Sequence, residues 1–351
     1  MNKFLNVAII GLGVGEQHLL AYKKNKYVNK IFIFDKQKKK MEYIKKKYPQ
    51  VLVCSDEEEI FQNKIINIVS IASYDQFHCK QVCDSLRQNK HVFCEKPLCL
   101  NETELKQIKK CYLRTKLSIS TNTILRMSPR FKEIKSKIDK NYFGDIYYIE
   151  VDYNYGRVQK IIKGWRGKID NFSVVLSGGI HMVDLVLWYL KSKPKIIKSF
   201  SNNICTKKNK LNLHDQVVSL IKFESNVIVK LSCNFGCVYP HYHRIMVYGN
   251  KGSLEQSFNN EFTMLKKKSS FSSSSIKSDY PGVSKGGMID NFIDNIIYGK
   301  KLILDTNEMF EALDVCFKIN KSLIKINKNK LRTTRFTIWI ISRTHEWGFR
   351  T

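Results

Sequence analysis

The chain has 351 residues and a 43% share of apolar side chains, enough to bury the cores of two domains of ordinary size. No apolar run reaches the roughly 18 residues of a membrane span, so the composition excludes an integral membrane protein and predicts a soluble, globular one. The formal net charge is +29, but lysine is spread along the whole chain and no segment interleaves arginine with aromatic residues, so we expect no specific nucleic-acid partner.

The first predicted elements are a strand, a glycine turn and a helix. The apolar run 7–10 ends in the turn formed by Gly11, Gly13 and Gly15, and residues 16–24 carry apolar side chains at helical spacing. Backbone N–H groups of such a turn can bind a pyrophosphate at the helix N-terminus. The basic and apolar N-terminus resembles a signal peptide, but the glycines interrupt it, so a cytoplasmic location is the default expectation.

A second strand, 31–34, ends in Asp35, about twenty residues after the glycine turn. A carboxylate at this position can bind both hydroxyls of an adenosine ribose and would repel a 2′-phosphate, which favours NAD. Lys36 and Lys38 keep NADP as an alternative. A tight turn and a capping aspartate without any nucleotide is the structural alternative.

The pattern then repeats over further strands and helices. Strands are predicted at 51–53, 66–72, 91–94 and 117–122, and helices follow Asp35 and occupy 76–88 and 102–112. Alternating strands and helices predict an α/β, doubly wound parallel sheet of the Rossmann type over residues 1–123. The strand 91–94 ends in Glu95-Lys96-Pro97, which would set a lysine opposite the glycine turn and indicates a nicotinamide-dependent oxidoreductase.

The rest of the chain has a different sequence pattern. Strands at 146–155, 216–223, 227–234 and 244–248, with a turn at 224–226, predict an α+β domain with a large, mostly antiparallel open sheet over residues 124–331. Ser269–Ser275 is interpreted as a mobile low-complexity loop, and helices are predicted at 288–298 and 306–324. Residues 332–351 fit neither domain and form a tail of unknown structure.

The cysteines and histidines do not predict a metal site. The ten cysteines lack zinc-like spacing, and Cys79 and Cys83 are interpreted as buried, reduced thiols one helical turn apart. His241 and His243 would need a third ligand that the sequence does not identify.

The chain resembles the glucose–fructose oxidoreductase, inositol dehydrogenase and MocA group of NAD(P)-dependent oxidoreductases. The resemblance spans about residues 5–330 and is carried by four segments: Ile10 to His18 around the glycine turn, Val69 to His78, Lys90 to Pro97, and Gly178-Gly179-Ile180-His181-Met182-Val183-Asp184. It implies cofactor contacts from Gly11, Gly13, Val14, Gly15, Asp35, Ala72, Ser73, His78, Glu95 and Lys96.

The resemblance also implies the catalytic roles. Lys96 would orient and polarise the substrate hydroxyl, and His181 would remove its proton as hydride leaves for the nicotinamide. An imidazole titrates near neutral pH and suits a general base, and a lysine beside a cationic ring would have a lowered pKa. Glu95 is a further candidate, which could pair with Lys96 or the substrate.

One departure from the family pattern concerns the residue four before the histidine, often an aspartate, which here is Ser177. A serine cannot stabilise an imidazolium by charge, so Asp184 is a candidate substitute, and a catalytically weak NAD(H)-binding regulatory protein is the alternative function. Substrate contacts are predicted from residues near the expected pocket wall, Arg126, Tyr155, Arg157, Trp165 and Arg166. The substrate is expected to be a sugar, inositol or nucleotide sugar, which the cationic surface would allow to be anionic, and the protein a homodimer or homotetramer.

Overall fold

The computed structural model describes residues 4–170, 172–209, 213–256, 258, 261–267, 270–275 and 280–323, and these form two sheets. The first sheet consists of β1 (Leu5–Ile10), β2 (Val28–Phe34), β3 (Leu52–Val53), β4 (Ile68–Ile71), β5 (His91–Cys94) and β6 (Ile119–Thr121). All neighbouring strands pair in parallel in the order β3-β2-β1-β4-β5-β6. The predicted doubly wound sheet is confirmed.

Helices cover both faces of this sheet, which is why its central strands are continuous apolar runs. They are α1 (Gly15–Lys24), α2 (Lys38–Lys47), α3 (Glu57–Gln62), α4 (His78–Arg87) and α5 (Glu102–Tyr112). Two of them begin at side-chain caps, because Asp56 accepts the amide of Glu59 and Asn101 accepts that of Glu104, at 2.8 and 2.9 Å. The strand order reverses between β1 and β4, and parallel sheets bind ligands at the carboxyl ends of such neighbours.

The second sheet is mixed and mostly antiparallel, as predicted. It consists of β7 (Ile146–Asn154), β8 (Pro194–Asn202), β9 (Gln216–Phe223), β10 (Ile228–Asn234), β11 (Tyr242–Gly249), β12 (Ser253–Gln256), β13 (Glu261–Lys267) and β14 (Ser270–Ser275). The order is β14-β13-β12-β11-β7-β10-β9-β8, and among the described strands of this second sheet only the β7–β10 pair is parallel. The predicted turn at 224–226 joins β9 to β10, with Asn226 at φ 65°.

The prediction of a mobile loop in the serine-rich segment is wrong. Residues 270–275 are strand β14, not a loop, and pair antiparallel with β13 in the register Thr263 to Ser273. The ladder uses backbone N–H and C=O groups, which a serine run supplies as well as any other sequence, so a neighbouring strand overrides the composition. Ser269 lies outside the described residues.

The helices of the second half are α6 (Pro129–Asp139), α7 (Val158–Ile162), α8 (Ile180–Leu190), α9 (Ile289–Tyr298) and α10 (Thr306–Lys321). A π-helical turn, Val175–Gly179, runs directly into α8. The predicted helix 306–324 ends at Lys321, and the predicted tail 332–351 lies outside the described residues. Of the helices in the described part of the chain, none is long and apolar enough to cross a membrane.

The last two helices return to the first sheet and join the two halves. Phe292 of α9 packs against Phe93 of β5 with ring centroids 5.5 Å apart, and Thr306 at the start of α10 donates to the main-chain oxygen of Ile119, at 3.0 Å. One continuous apolar core therefore runs through both sheets. This packing brings the second sheet over the carboxyl ends of β1, β4, β5 and β6.

Candidate active site

A cavity of about 590 Å³ lies between the two sheets. One end is formed by the glycine turn after β1 and by Asp35 after β2, and the other by Lys96, by His181 at the start of α8, and by β7 and β11. The topology therefore brings together, in one cavity, residues that are up to 275 positions apart in the chain, from Ile10 to Lys285.

The glycine turn has the shape that a pyrophosphate site requires. Gly11 has φ +90°, and a Cβ there would lie 2.5 Å from the main-chain oxygen of Ala72, so only glycine fits. A Cβ on Gly13 would meet no described atom within 4 Å, and Gly13 and Val14 both line the cavity. Gly15 does not line it, and a Cβ there would lie 3.0 Å from the side chain of Ile9 in β1 and 3.3 Å from that of Ala72, just after β4.

Asp35 closes the end of this turn. One carboxylate oxygen accepts the amide of Leu12 and the other that of Gln37, both at 2.8 Å, and Lys40 Nζ lies 3.5 Å away. These bonds hold the buried carboxylate at the cavity wall, where a ribose would lie. The cradle at Gly13 together with this acid fits an NAD molecule.

Of the other predicted cofactor residues, Ala72 and Ser73 line the cavity and His78 does not. The His78 ring is fully buried, with Nδ1 2.7 Å from the main-chain oxygen of Pro97 and Nε2 3.2 Å from that of Ser73. The His78 ring thus links the loop after β4 to the segment after β5 through these two contacts.

Glu95 belongs to a buried network at the floor of the cavity. His18 of α1 lies 3.1 Å from its carboxylate, and the amide of Asn122 donates to the same oxygen at 2.8 Å. Burial alone would raise the pKa of Glu95, but these contacts and the charge of Lys96 lower it to about 2. The Asn122 amide also donates to the main-chain oxygen of Lys285, at 2.6 Å, which ties this floor to the second half of the chain.

Lys96 extends from this floor into the cavity. Its Nζ donates to the main-chain oxygen of Ser177 in the π-helical turn. Burial and the nearby charge of Arg166 lower the pKa of Lys96 to about 8, although Glu95 and Asp75 oppose the shift. The ammonium therefore remains charged at neutral pH but is poised to lose its proton in mild alkali.

His181 is one turn further along the same helix, 8% exposed and lining the cavity. Its ring is nearly parallel to that of Tyr153, with centroids 6.3 Å apart, and edge-on to that of His243 at 5.8 Å. Burial and Lys96 hold the pKa of His181 well below its ordinary range, so the imidazole is neutral at pH 7. Nδ1 is buried and has no hydrogen-bond partner among the described residues.

Two glycines allow this helix to approach the second sheet. A Cβ on Gly178 would lie 2.3 Å from the ring of Tyr153, and a Cβ on Gly179 would lie 2.4 Å from Sγ of Cys233. The Gly-Gly pair therefore permits the contact between His181 and Tyr153.

Asp184 and Arg126 pair with each other and not with the cavity. The Arg126 guanidinium donates to both oxygens of Asp184, at 2.8 to 3.1 Å, and to Glu308 and the main-chain oxygen of Ile303. Neither residue lines the cavity, and both are almost fully buried. Arg126 is thus misplaced in the predicted pocket wall, and Asp184 is not in contact with His181.

The other predicted wall residues do line the cavity: Tyr155, Arg157, Trp165 and Arg166. The Trp165 ring stacks on Tyr74 with centroids 4.4 Å apart, and the Arg166 guanidinium lies 4.2 Å from the Trp165 ring centroid. Nε of Arg166 is 3.6 Å from Asp75, too long for a hydrogen bond.

Sequence reasoning missed several residues of the cavity or its floor: His18, Tyr74, Asp75, Asn122, Tyr153, Tyr280 and Lys285. His241 and His243 were considered only as metal ligands, yet both line the cavity beside His181. In the part of the chain that the structure describes, no three His, Cys, Asp or Glu side chains are arranged to hold a metal ion. The alternation of polar and apolar residues along β7 and β11 was the sequence pattern that could have predicted Tyr153 and His243 as cavity residues.

The parallel sheet, the glycine cradle and the enclosed cavity define the chain as a dinucleotide-binding oxidoreductase of two-sheet architecture. Residues 5–123 match the model of an oxidoreductase family with an NAD-binding Rossmann fold, and residues 131–255 match that of the GFO/IDH/MocA C-terminal domain. These matches cover more than half of the chain, which belongs to the Gfo/Idh/MocA family.

Individual relatives are distant. A myo-inositol 2-dehydrogenase of Thermotoga maritima is 21% identical over 71% of this chain and 74% of its own length. An oxidoreductase of Formosa agariphila is 23% identical over 57% of this chain, and the matched part spans only 62% of that relative.

Solved structures share the fold over nearly the whole chain. A myo-inositol 2-dehydrogenase from Lactobacillus plantarum has a TM-score of 0.79 at 19% identity, covering 91% of this chain and 97% of its own. A scyllo-inositol dehydrogenase from Lactobacillus casei, solved with NAD(H) and scyllo-inositol, has a TM-score of 0.77 at 17% identity, covering 92% and 97%.

Proposed function

We propose that the protein transfers a hydride between NAD and a secondary alcohol or ketone of a sugar, inositol or nucleotide sugar. The observation that carries the proposal is the placement of Lys96 and His181 in one cavity with the glycine cradle. Family membership and an inositol dehydrogenase among the relatives support the substrate class.

In the direction of alcohol oxidation, Lys96 donates a hydrogen bond to the substrate hydroxyl and fixes its orientation. His181, neutral because of its lowered pKa, accepts the hydroxyl proton. NAD bound in the cradle would supply the hydride acceptor. The C–H electron pair leaves as hydride while the O–H electrons form the carbonyl bond, so the reverse reaction returns the proton from His181 to the alkoxide.

The cofactor preference rests on Asp35. Its carboxylate is held in the wall by two backbone amides and would lie against the 2′-position of the ribose, where it favours a hydroxyl over a phosphate. Lys40, 3.5 Å away, offsets part of this charge, so NADP remains the weaker second cofactor.

A second candidate is a catalytically weak NAD(H)-binding regulatory protein. The observation that favours it is that Lys96 is already engaged by the main-chain oxygen of Ser177, and that Nδ1 of His181 has no carboxylate to orient it. Such a protein would bind NADH tightly and transfer no hydride.

Location and assembly are also part of the proposal. All ten cysteines are free, which supports a reducing compartment such as the cytoplasm. Ile196, Phe200, Leu220 and Ile228 are exposed on β8, β9 and β10, which supports a homodimer or homotetramer formed through the second sheet.

The test is a fluorescence titration with NADH and NADPH, followed by turnover of a panel of polyols, sugars and nucleotide sugars with the preferred oxidised cofactor. Tight NADH binding with absorbance appearing at the reduced-nicotinamide band is the expected result. Binding without turnover would support the regulatory candidate, and no binding of either cofactor would contradict both.

A further inference from the structure

Four cationic side chains surround the substrate end of the cavity: Lys96, Arg157, Arg166 and Lys285. Their charges act on neighbouring groups of the site. Besides burial, Arg157, Lys96 and Lys285 lower the pKa of His241 to about 4, and Arg166 and Lys285 both contribute to the lowered pKa of Lys96. All four cations line the same cavity as His181 and His241.

The acids at this end do not balance the cations. Glu95 and Asp75 are the carboxylates lining it, whereas Asp35 and Glu57 lie with the nucleotide end. Glu95 already accepts from His18 and Asn122. Among the described residues, no carboxylate lies within 4.0 Å of Arg157 or Lys285. These four cations against two carboxylates leave a formal charge of +2 before any ligand binds, and Lys160, which also lines the cavity, adds to it.

Arg166 is the cation best placed to bind a ligand directly. Its guanidinium lies over the Trp165 ring, which is itself stacked on Tyr74, so the planar fork is held in one orientation. Its buried Nε has no hydrogen-bond partner among the described residues. A guanidinium held in this way matches the paired oxygens of a carboxylate or phosphate.

We infer that the substrate carries an anionic group, a carboxylate or a phosphate, beside the alcohol that is oxidised, and that Arg157, Arg166 and Lys285 bind this group. The inference rests on the proposed function and narrows its substrate class. The nucleotide pyrophosphate is a competing ligand for these cations, but the glycine turn at the N-terminus of α1 already provides the site for it.

The test compares matched probes that differ by one anionic group: glucuronate and glucose 6-phosphate against glucose, and myo-inositol 1-phosphate against myo-inositol. Binding to the protein–NADH complex is measured by NADH fluorescence, so the comparison does not depend on turnover. We expect the anionic member of a pair to bind about tenfold more tightly or better. A preference for carboxylate over phosphate, or the reverse, identifies the anionic group.

A triple variant, Arg157→Gln, Arg166→Gln and Lys285→Gln, should abolish this preference and leave the NADH affinity within about twofold. The matched control neutralises three exposed lysines outside the cavity, Lys132→Gln, Lys140→Gln and Lys251→Gln, and should retain the preference. Because this control removes the same charge, it separates the site from the overall field of the protein.

Three results would overturn the inference: equal, absent or weaker binding of the anionic probes, survival of the preference in the cavity triple variant, or equal loss of the preference in the control. Survival of the preference together with a loss of NADH affinity would assign the cations to the cofactor. Failure of the proposed function is distinct, since it appears as no NADH binding, or as no hydride transfer with probes that do bind.

Discussion

Lys96 donates a hydrogen bond to the main-chain oxygen of Ser177 and so joins the end of β5 to the helix that carries His181. The side chain at position 177 departs from the family pattern, but this contact uses the backbone. The bond between the two halves of the cavity is therefore independent of that departure.

Replacing Lys96 by alanine removes the donor that holds the substrate hydroxyl. We expect Lys96→Ala to lower kcat/KM by roughly 10²- to 10³-fold, in the range for loss of one polarising donor, with little change in NADH affinity. Steady-state kinetics and NADH titration measure both. Lys251→Ala, at an exposed position outside the cavity, is the control, and full turnover by the Lys96 variant would contradict the proposed mechanism.

The rate of alcohol oxidation should depend on the protonation of Lys96. Its pKa is lowered to about 8, so kcat/KM should fall as pH rises through about 8, because the neutral amine polarises the hydroxyl less. Arg166→Gln removes the largest charge that lowers this pKa, so the fall should move to higher pH. A pH profile unchanged by this substitution would argue that another group controls the alkaline side.

Glu95 should make stability depend on acid pH. Its folded pKa of about 2 lies below the ordinary 4.5, so its contribution, up to about 3 kcal/mol, is fully present above pH 4.5 and is lost as pH falls to about 2. Glu95→Gln should therefore be less stable at pH 7, and the gap to the parent should shrink by roughly 1 kcal/mol at pH 3.5. Urea unfolding at both pH values tests this, and a gap independent of pH would refute it.

The pair of Arg126 and Asp184 should matter for folding rather than for substrate binding. Removing Arg126 leaves the buried Asp184 carboxylate without its cation, so Arg126→Met should cost about 3 kcal/mol or more of unfolding free energy. Burial raises the pKa of Asp184 in spite of its partner, which indicates a large desolvation cost. The double variant Arg126→Met with Asp184→Leu should therefore be more stable than the single one.

Denaturant unfolding of the singles and the double gives the coupling energy. In whichever variant remains folded, KM for the substrate should stay within a few-fold of the parent. A large KM increase in a stable double variant would return Arg126 to the substrate site.

The role of the cofactor turn can be tested by comparing alanine substitutions at two glycines that both have positive φ, one inside the turn and one outside it. Gly11 has φ +90° and Gly299 has φ +66°, but only at Gly11 would a Cβ also collide with backbone, that of Ala72. Gly299→Ala should cost about 1 kcal/mol, whereas Gly11→Ala should cost more and weaken NADH binding. Thermal unfolding and NADH titration of both variants make the comparison, and equal effects would mean that the close approach to Ala72 is unimportant.

The sequence was most informative where function depends on local geometry. The turn at Gly11, the acid at Asp35 and the lysine at Lys96 follow from strand ends, and the parallel order brings strand ends to one edge. The floor of the cavity was not predictable, because His18 reaches Glu95 through a helix packed beneath the sheet, a contact 77 residues apart in the chain.

Predictions were wrong where the residue types of a short segment were used to infer its position or structure in the folded protein. Arg126 beside a pocket segment looks like a substrate ligand, yet an acid 58 residues later and the start of α10 surround it. The serine run looks like a loop, yet a partner strand is available. In both cases a distant segment determines the outcome, and single-sequence patterns do not register distant segments.

The π-helical turn at Val175–Gly179 has a consequence for how this chain tolerates deletions. Such a turn holds one residue more than the α-helix would, and each residue of an α-helix accounts for about 100° of rotation. Deleting one residue there would restore a regular helix, while Asp184 would still be anchored to Arg126. Everything upstream would rotate by about a quarter of a turn, and the carbonyl that receives Lys96 would no longer face the lysine. The number of residues in the turn thus sets the angle between the Ser177 carbonyl and the His181 imidazole. A deletion in the turn could destroy this arrangement without replacing a single side chain of the site.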